Sequence, residues 1–190
     1  NLPEDTQERS GYDAAIVDYL RQHAVPATFF AGGKWMRSHD DRAKQLIADP
    51  LFEVGNHAWS QGSLHKLSAR RMRNQILWTQ GQYEELWLEL HQCVLEKGLP
   101  AVEMHKIPAV PLTFRFPMGE CSDTSLEAAA ALGLPVVRGD VASGDNEQDT
   151  TAQAMAEHIK STISAGSIII CHADGRGRNT AESLPLFVPW

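Results

Sequence analysis

Cysteine is scarce in this 190-residue chain: there are three, Cys93, Cys121 and Cys171, with no C-x-x-C spacing. That argues against a zinc knuckle or a disulfide-stapled scaffold and leaves room for one disulfide at most. Basic charge is also in short supply, with 17 Lys and Arg against 24 Asp and Glu and a formal charge of −7. No stripe of cations exists to neutralise phosphates, so general nucleic-acid binding is not expected. A soluble partner or a neutral or cationic substrate fits this charge better. Long apolar runs are missing as well: nothing approaches the roughly 20 residues of a membrane span. No leader segment is visible, and the chain opens on "NLPED" without a methionine, which reads as a trimmed mature protein.

What is present is ordinary globular composition, 43% hydrophobic and 22% charged, in a length that suits one domain, residues 1–190, with a substantial core. Apolar spacing predicts helices in "GYDAAIVDYLRQHAV", "DDRAKQLIADP", residues 69–97, "SDTSLEAAAALGL", "TTAQAMAEHIKSTIS" and "NTAESLPLFVPW". In the long helix, Met72, Ile76, Tyr83, Leu86, Leu90 and Val94 recur on one face. Short apolar runs bounded by Gly or Pro predict strands in "PATFFAGG", "LFEVGN", "LTFRFPMG", "PVVRGDVASGD" and "GSIIICHADG". "KGLPAVEMHKIPAVP" reads as a proline-punctuated linker.

Strand and helix alternate, which implies an α/β fold with mainly parallel strands covered on both faces. Each apolar run gives way at its end to Gly and a polar residue: "EVGNH", "FRFPMG", "VRGD", "IIICHADG". Sites on parallel sheets lie at the carboxyl ends of strands, so His57, Arg115, Asp140 and His172 are expected on one rim. The loop "HADGRGRN" is expected to shape that rim.

Taken in order, "ATFFAGGKWM", "EVGNHAWS", "FRFPMGECS", "DVASGD" and "GSIIICHADGRG…TAESLP" resemble the polysaccharide deacetylase (NodB-homology, carbohydrate esterase family 4) family from about residue 11 to residue 190. The resemblance implies an incomplete or distorted (β/α) barrel that hydrolyses N-acetyl groups on amino-sugar polymers of the chitin or peptidoglycan type. It implies zinc or another divalent metal, which lowers the pKa of a bound water toward about 7. It also implies an N-acetylated glycan as partner, and a secreted, periplasmic or cell-wall location.

The same resemblance assigns roles residue by residue. His57 matches the first metal histidine of an H-x-x-x-H motif, whose ligands on one helical turn share a face. Gln61 stands at the second position, and a neutral amide is a poor zinc ligand; His65 is an alternative if the segment is helical there. Arg115 matches the arginine that charge-balances the catalytic base. The turn after it, Pro117-Met118, offers a main-chain N–H to a developing oxyanion. His172 matches the general acid, and Asp140 the carboxylate that tunes it, with Asp145 as a competing candidate. Trp59, like Trp35 and Tyr83, could stack on a sugar ring, although core packing is the commoner fate of such residues.

The first motif departs most. The family places two adjacent aspartates there, or in one subgroup Asp-Leu-Cys-Glu ahead of a Gly-Tyr-Asp. Laying "GYD" (11–13) on that subgroup puts Asn1 over the base and Pro3 over the cysteine. Asn cannot accept a proton at neutral pH; Asp5 or Glu4 are alternatives, as is a strand lying upstream. Two readings therefore stay open: a deacetylase, with impaired chemistry, or a deacetylase-fold protein that binds glycans without turning them over.

Overall fold

The computed structural model describes residues 11–60, 62–96 and 104–189. In chain order the elements are α1 (Ala14–Gln22), β1 (Ala27–Ala31), α2 (Gly33–Ser38), α3 (Asp40–Ile47), β2 (Phe52–Asn56), α4 (Ala69–Glu96), α5 (Asp123–Ala130), β3 (Val141–Ala142), α6 (Ala152–Thr162), β4 (Ile169–Ile170) and α7 (Thr180–Phe187). The chain divides into two compact units, Pro26–Arg138 and the remainder, Asn1–Val25 with Gly139–Trp190.

In the unit Pro26–Arg138, β1 and β2 pair in parallel, from Ala27 opposite Phe52 to Ala31 opposite Asn56. The ladder continues through single parallel bridges from Asn56 to Phe114 and from Phe114 to Val136. "LTFRFPMG", expected as a strand ending in a turn, has its turn at Pro117–Gly119, and its strand part is reduced to one bridging residue, Phe114. β1 is half-buried along most of its length rather than fully covered. The core beneath these segments gathers Leu64, Met72, Ile76, Phe114, Phe116, Ala129 and Leu134. Truncating a fully buried aliphatic such as Ile76 to Ala costs about 2–5 kcal/mol. α4 supplies Met72, Ile76, Thr79, Tyr83 and Leu86 to the interior. Leu90 and Val94, expected on the same face, are only half-buried, because the helix outruns the core. α5 starts with a reciprocal capping box between Ser122 and Ser125 and is followed by Gly133 at φ 70°.

In the other unit, β3 and β4 pair in parallel, Val141 opposite Ile169 and Ala142 opposite Ile170. α7 packs on both α1 and α6. The Asp13 carboxylate caps α1 by accepting from the N–H groups of Ala15 and Ile16. "PVVRGDVASGD", expected as a strand and loop, pairs at two places: Val136 bridges to Phe114, whereas Val141–Ala142 pairs with β4. All three cysteines are free thiols. Among the described residues, no helix is long and apolar enough to cross a membrane.

Candidate functional site

His57 follows β2, and its position is set by the residue before it. Asn56 is fully buried. Its side-chain amide donates to the Ile76 carbonyl at 3.0 Å, and its oxygen accepts from the Ala58 N–H at 2.9 Å. The strand end is thereby tied to α4 while the chain turns through Ala58 at φ 61°, a left-handed conformation that a non-glycine residue adopts only when its surroundings enforce it. Residues 57–60 are therefore not helical. Gln61 and Asp5, like Asn1, lie outside the described residues. His65 belongs to a short 3-10 turn, Leu64–Lys66, and not to a continuing α-helix.

The His57 ring is oriented by Arg115, whose carbonyl lies 2.8 Å from Nδ1. A carbonyl only accepts, so Nδ1 carries the hydrogen. This is how metal-binding imidazoles are commonly held. The divalent ion implied by the resemblance needs more. Among the described residues, no group of three or more His, Cys, Asp and Glu comes together. One imidazole does not make a zinc site, so the described donor set does not fit the ion.

The Arg115 guanidinium is half-buried and donates to the Val137 carbonyl at 3.5 Å. Burial, and then the neighbouring Arg138, push its pKa down. Met118 sits at φ 60° on the turn after Pro117 with its side chain largely in solvent. Strain at a non-glycine residue of this kind often marks a functional loop. Trp59 packs over Gly33, whose missing side chain makes room for the ring. It also meets Trp78 edge-on at 6.3 Å and lies under the Arg37 guanidinium at 5.1 Å. Tyr83, by contrast, is a core residue: it is 2% exposed, and burial, with Glu53 nearby, pushes its pKa up to about 12.

The unit that contains β3 and β4 holds a hydrogen-bonded acid–histidine pair. The His172 Nδ1–H donates to Asp145 Oδ1 at 2.7 Å, and the His172 main-chain N–H donates to Asp145 Oδ2 at 2.6 Å. Oδ2 also accepts from the Thr180 hydroxyl at 2.9 Å. The Asp145 hydrogen bond raises the pKa of His172; burial opposes this, Asp174 adds to it and Arg176 subtracts. Burial pushes Asp145 upward, but the bonds from His172 and Thr180 outweigh it and hold the carboxyl below its usual range. The adjacent Cys171 thiol is pushed up to about 11 by burial and stays neutral.

Asp140, expected to tune His172, does not. Its carboxylate accepts from the Ile168 N–H at 2.6 Å and the Ser167 hydroxyl at 2.9 Å. The reason is the strand boundary. β3 begins after Asp140, and parallel pairing sets that residue beside the start of β4, whereas His172 follows the end of β4. The carboxylate that meets His172 is Asp145.

Comparison with known proteins agrees with this fold. The family model for polysaccharide deacetylases matches residues 4–94. A chitooligosaccharide deacetylase of Rhizobium leguminosarum bv. phaseoli is 38% identical over 64 residues, 34% of this chain and 28% of that protein. A peptidoglycan-N-acetylglucosamine deacetylase of Bacillus cereus is 26% identical over 92% of this chain and 56% of its own length. A crystal structure of a carbohydrate esterase family 4 pseudoenzyme from Bacillus anthracis superposes with a TM-score of 0.74 at 21% identity, covering 95% of this chain and 56% of that one. The fold is thus α/β of the kind seen in carbohydrate esterase family 4. The chain is similar to the polysaccharide deacetylase (NodB-homology) family, in its sequence over residues 4–94 and in its fold. It spans between about a quarter and just over half of these relatives' lengths.

Proposed function

We propose that this chain engages N-acetylated amino-sugar polymers of the chitin or peptidoglycan type and hydrolyses their N-acetyl groups, with chemistry impaired on the metal side. The observation that carries this reading is the 2.7 Å pair between Asp145 and His172. An imidazolium whose Nδ1–H is held by a carboxylate presents its other N–H as a proton donor, and the Asp145 hydrogen bond, which raises the pKa, favours that charged form. It can then protonate the amine that leaves when an acetamide is cleaved. In the same reading, Met118 offers its main-chain N–H to the oxyanion, Arg115 supplies a fixed positive charge, Trp59 borders the sugar, and residues 1–190 act as one incomplete-barrel domain. The family's divalent ion would supply an activated water. Its retention rests on His57 together with Asp5, Gln61 or the side chain of His65. A secreted or cell-wall location follows from the same substrates.

A second reading, glycan binding without turnover, is favoured by one specific observation: Gln61 occupies the position of the second metal histidine. Acetate release from N-acetylglucosamine oligomers, measured with and without added zinc, separates the two. Release that is lost in His172→Ala supports hydrolysis. Oligomer binding by the wild-type chain with no release of acetate supports the second reading, and neither binding nor release contradicts both.

A further inference from the structure

We propose that Thr180 is a positioning residue, whose hydroxyl locks the Asp145 carboxylate in the rotation that presents Oδ1 to His172. The torsion that turns a carboxylate about its last bond is broad and weakly restrained. A single bond from the His172 ring would leave the Asp145 plane free to swing. Two donors on the other oxygen, the His172 main-chain N–H at 2.6 Å and the Thr180 hydroxyl at 2.9 Å, remove that freedom.

The chain around Thr180 is built for this contact. A threonine near a helix start ordinarily caps the helix or bonds back to its own backbone. Here Asn179 holds the N-cap position at φ 57°, and its amide donates away from the helix, to the Thr150 carbonyl at 2.7 Å. The Thr180 hydroxyl is left to aim at Asp145, and the residue is 1% exposed. The loop leading to it is tied to the same aspartate, through the Arg178 N–H donating to the Asp145 carbonyl at 2.6 Å. Gly177 completes the fit: a Cβ there would lie 2.5 Å from Thr180 Oγ1, 2.6 Å from the His172 carbonyl and 2.7 Å from Asp145 Oδ2. Only glycine lets the backbone pass this close. The charged groups that act on His172 are Asp145, Asp174 and Arg176, and Thr180 governs the alignment of the first.

The kinetic consequence rests on His172 being the acid of the proposed reaction, but the test does not need activity. Histidine NMR on the whole chain follows the His172 Nδ1–H resonance and pKa in the wild type, Thr180→Val and Thr180→Ser. The account expects a downfield resonance and a raised pKa in the wild type and in Thr180→Ser. In Thr180→Val the resonance is lost or moves upfield, and the pKa falls toward the ordinary value of about 6.5. A merely structural threonine would change the melting temperature without moving either signal. Should Thr180→Val not fold, Thr180→Ala against Thr180→Ser decides the same point. Unchanged signals in the valine variant, a higher His172 pKa there, or equal losses in valine and serine variants would each overturn the proposal. No acetate release from any variant, wild type included, would sink the hydrolytic reading and leave the NMR comparison standing.

Discussion

The surroundings of His172 and those of His57 differ in how completely each histidine is provided for. His172 has a buried carboxylate on Nδ1, and that carboxylate is itself fixed by Thr180 and by the His172 main chain. His57 has an equally well-set ring, with Nδ1 on the Arg115 carbonyl and the preceding Asn56 anchored to α4. Yet among the described residues no set of ligands gathers around it. Proton donation needs one partner and a fixed angle, and those are present. Metal binding needs several donors converging, and in the proposed reading the chain carries an amide, Gln61, at the position the resemblance gives to the second metal histidine. In the proposed reading, the acid half of the machinery is complete, and the metal half departs from the family pattern at Gln61 and Asn1.

The sharpest break in this contrast is His172→Ala, which should lower acetate release by about 10²–10⁴-fold, the range for losing a general acid. Asp145→Ala comes next. It strips a buried acceptor from His172 and Thr180 and should cost about 3 kcal/mol of stability, read by urea denaturation. The matching cut on the His57 side, Asn56→Ala, removes the anchor to Ile76 and should cost about 2 kcal/mol. Linkage gives a pH window. The raised pKa of His172 contributes stability that is complete below about 6.5 and lost as pH rises through its folded value. The lowered pKa of Asp145 contributes stability that is complete above about 3.9 and lost as pH falls through its folded value. Melting temperature should therefore peak between those limits in the wild type, and the peak should flatten in Asp145→Ala. The smallest effect belongs to Asp140→Ala, which should leave the His172 resonance where it is.

Much of this fold was legible in the sequence, for identifiable reasons. The long apolar repeat of α4 spans several turns, so its extent, Ala69–Glu96, agrees with expectation to within a residue. The short strands were harder: "SIIIC" looks like a long run, but only Ile169–Ile170 pairs. The exchange of Asp145 for Asp140 has the same origin. Both follow a glycine in "RGDVASGD", and only the strand boundary shows which one faces His172. Asn56 and Thr180 were missed because their roles lie in long-range contacts, to Ile76 and Asp145. Asn as the last residue of a strand, and a threonine next to an asparagine that could itself cap the helix, were the available signals. Tyr83 stood on the apolar face of α4, which already pointed to the core.

The contrast is tested most directly by titrating zinc into the purified chain beside its Gln61→His/Asn1→Asp variant. The account predicts no stoichiometric binding by the wild type at submicromolar free zinc, and about one zinc per chain in the variant. One zinc held with submicromolar affinity by the wild-type chain would contradict the reduced metal half. Failure of the variant to gain affinity would contradict the alignment of the first two motifs.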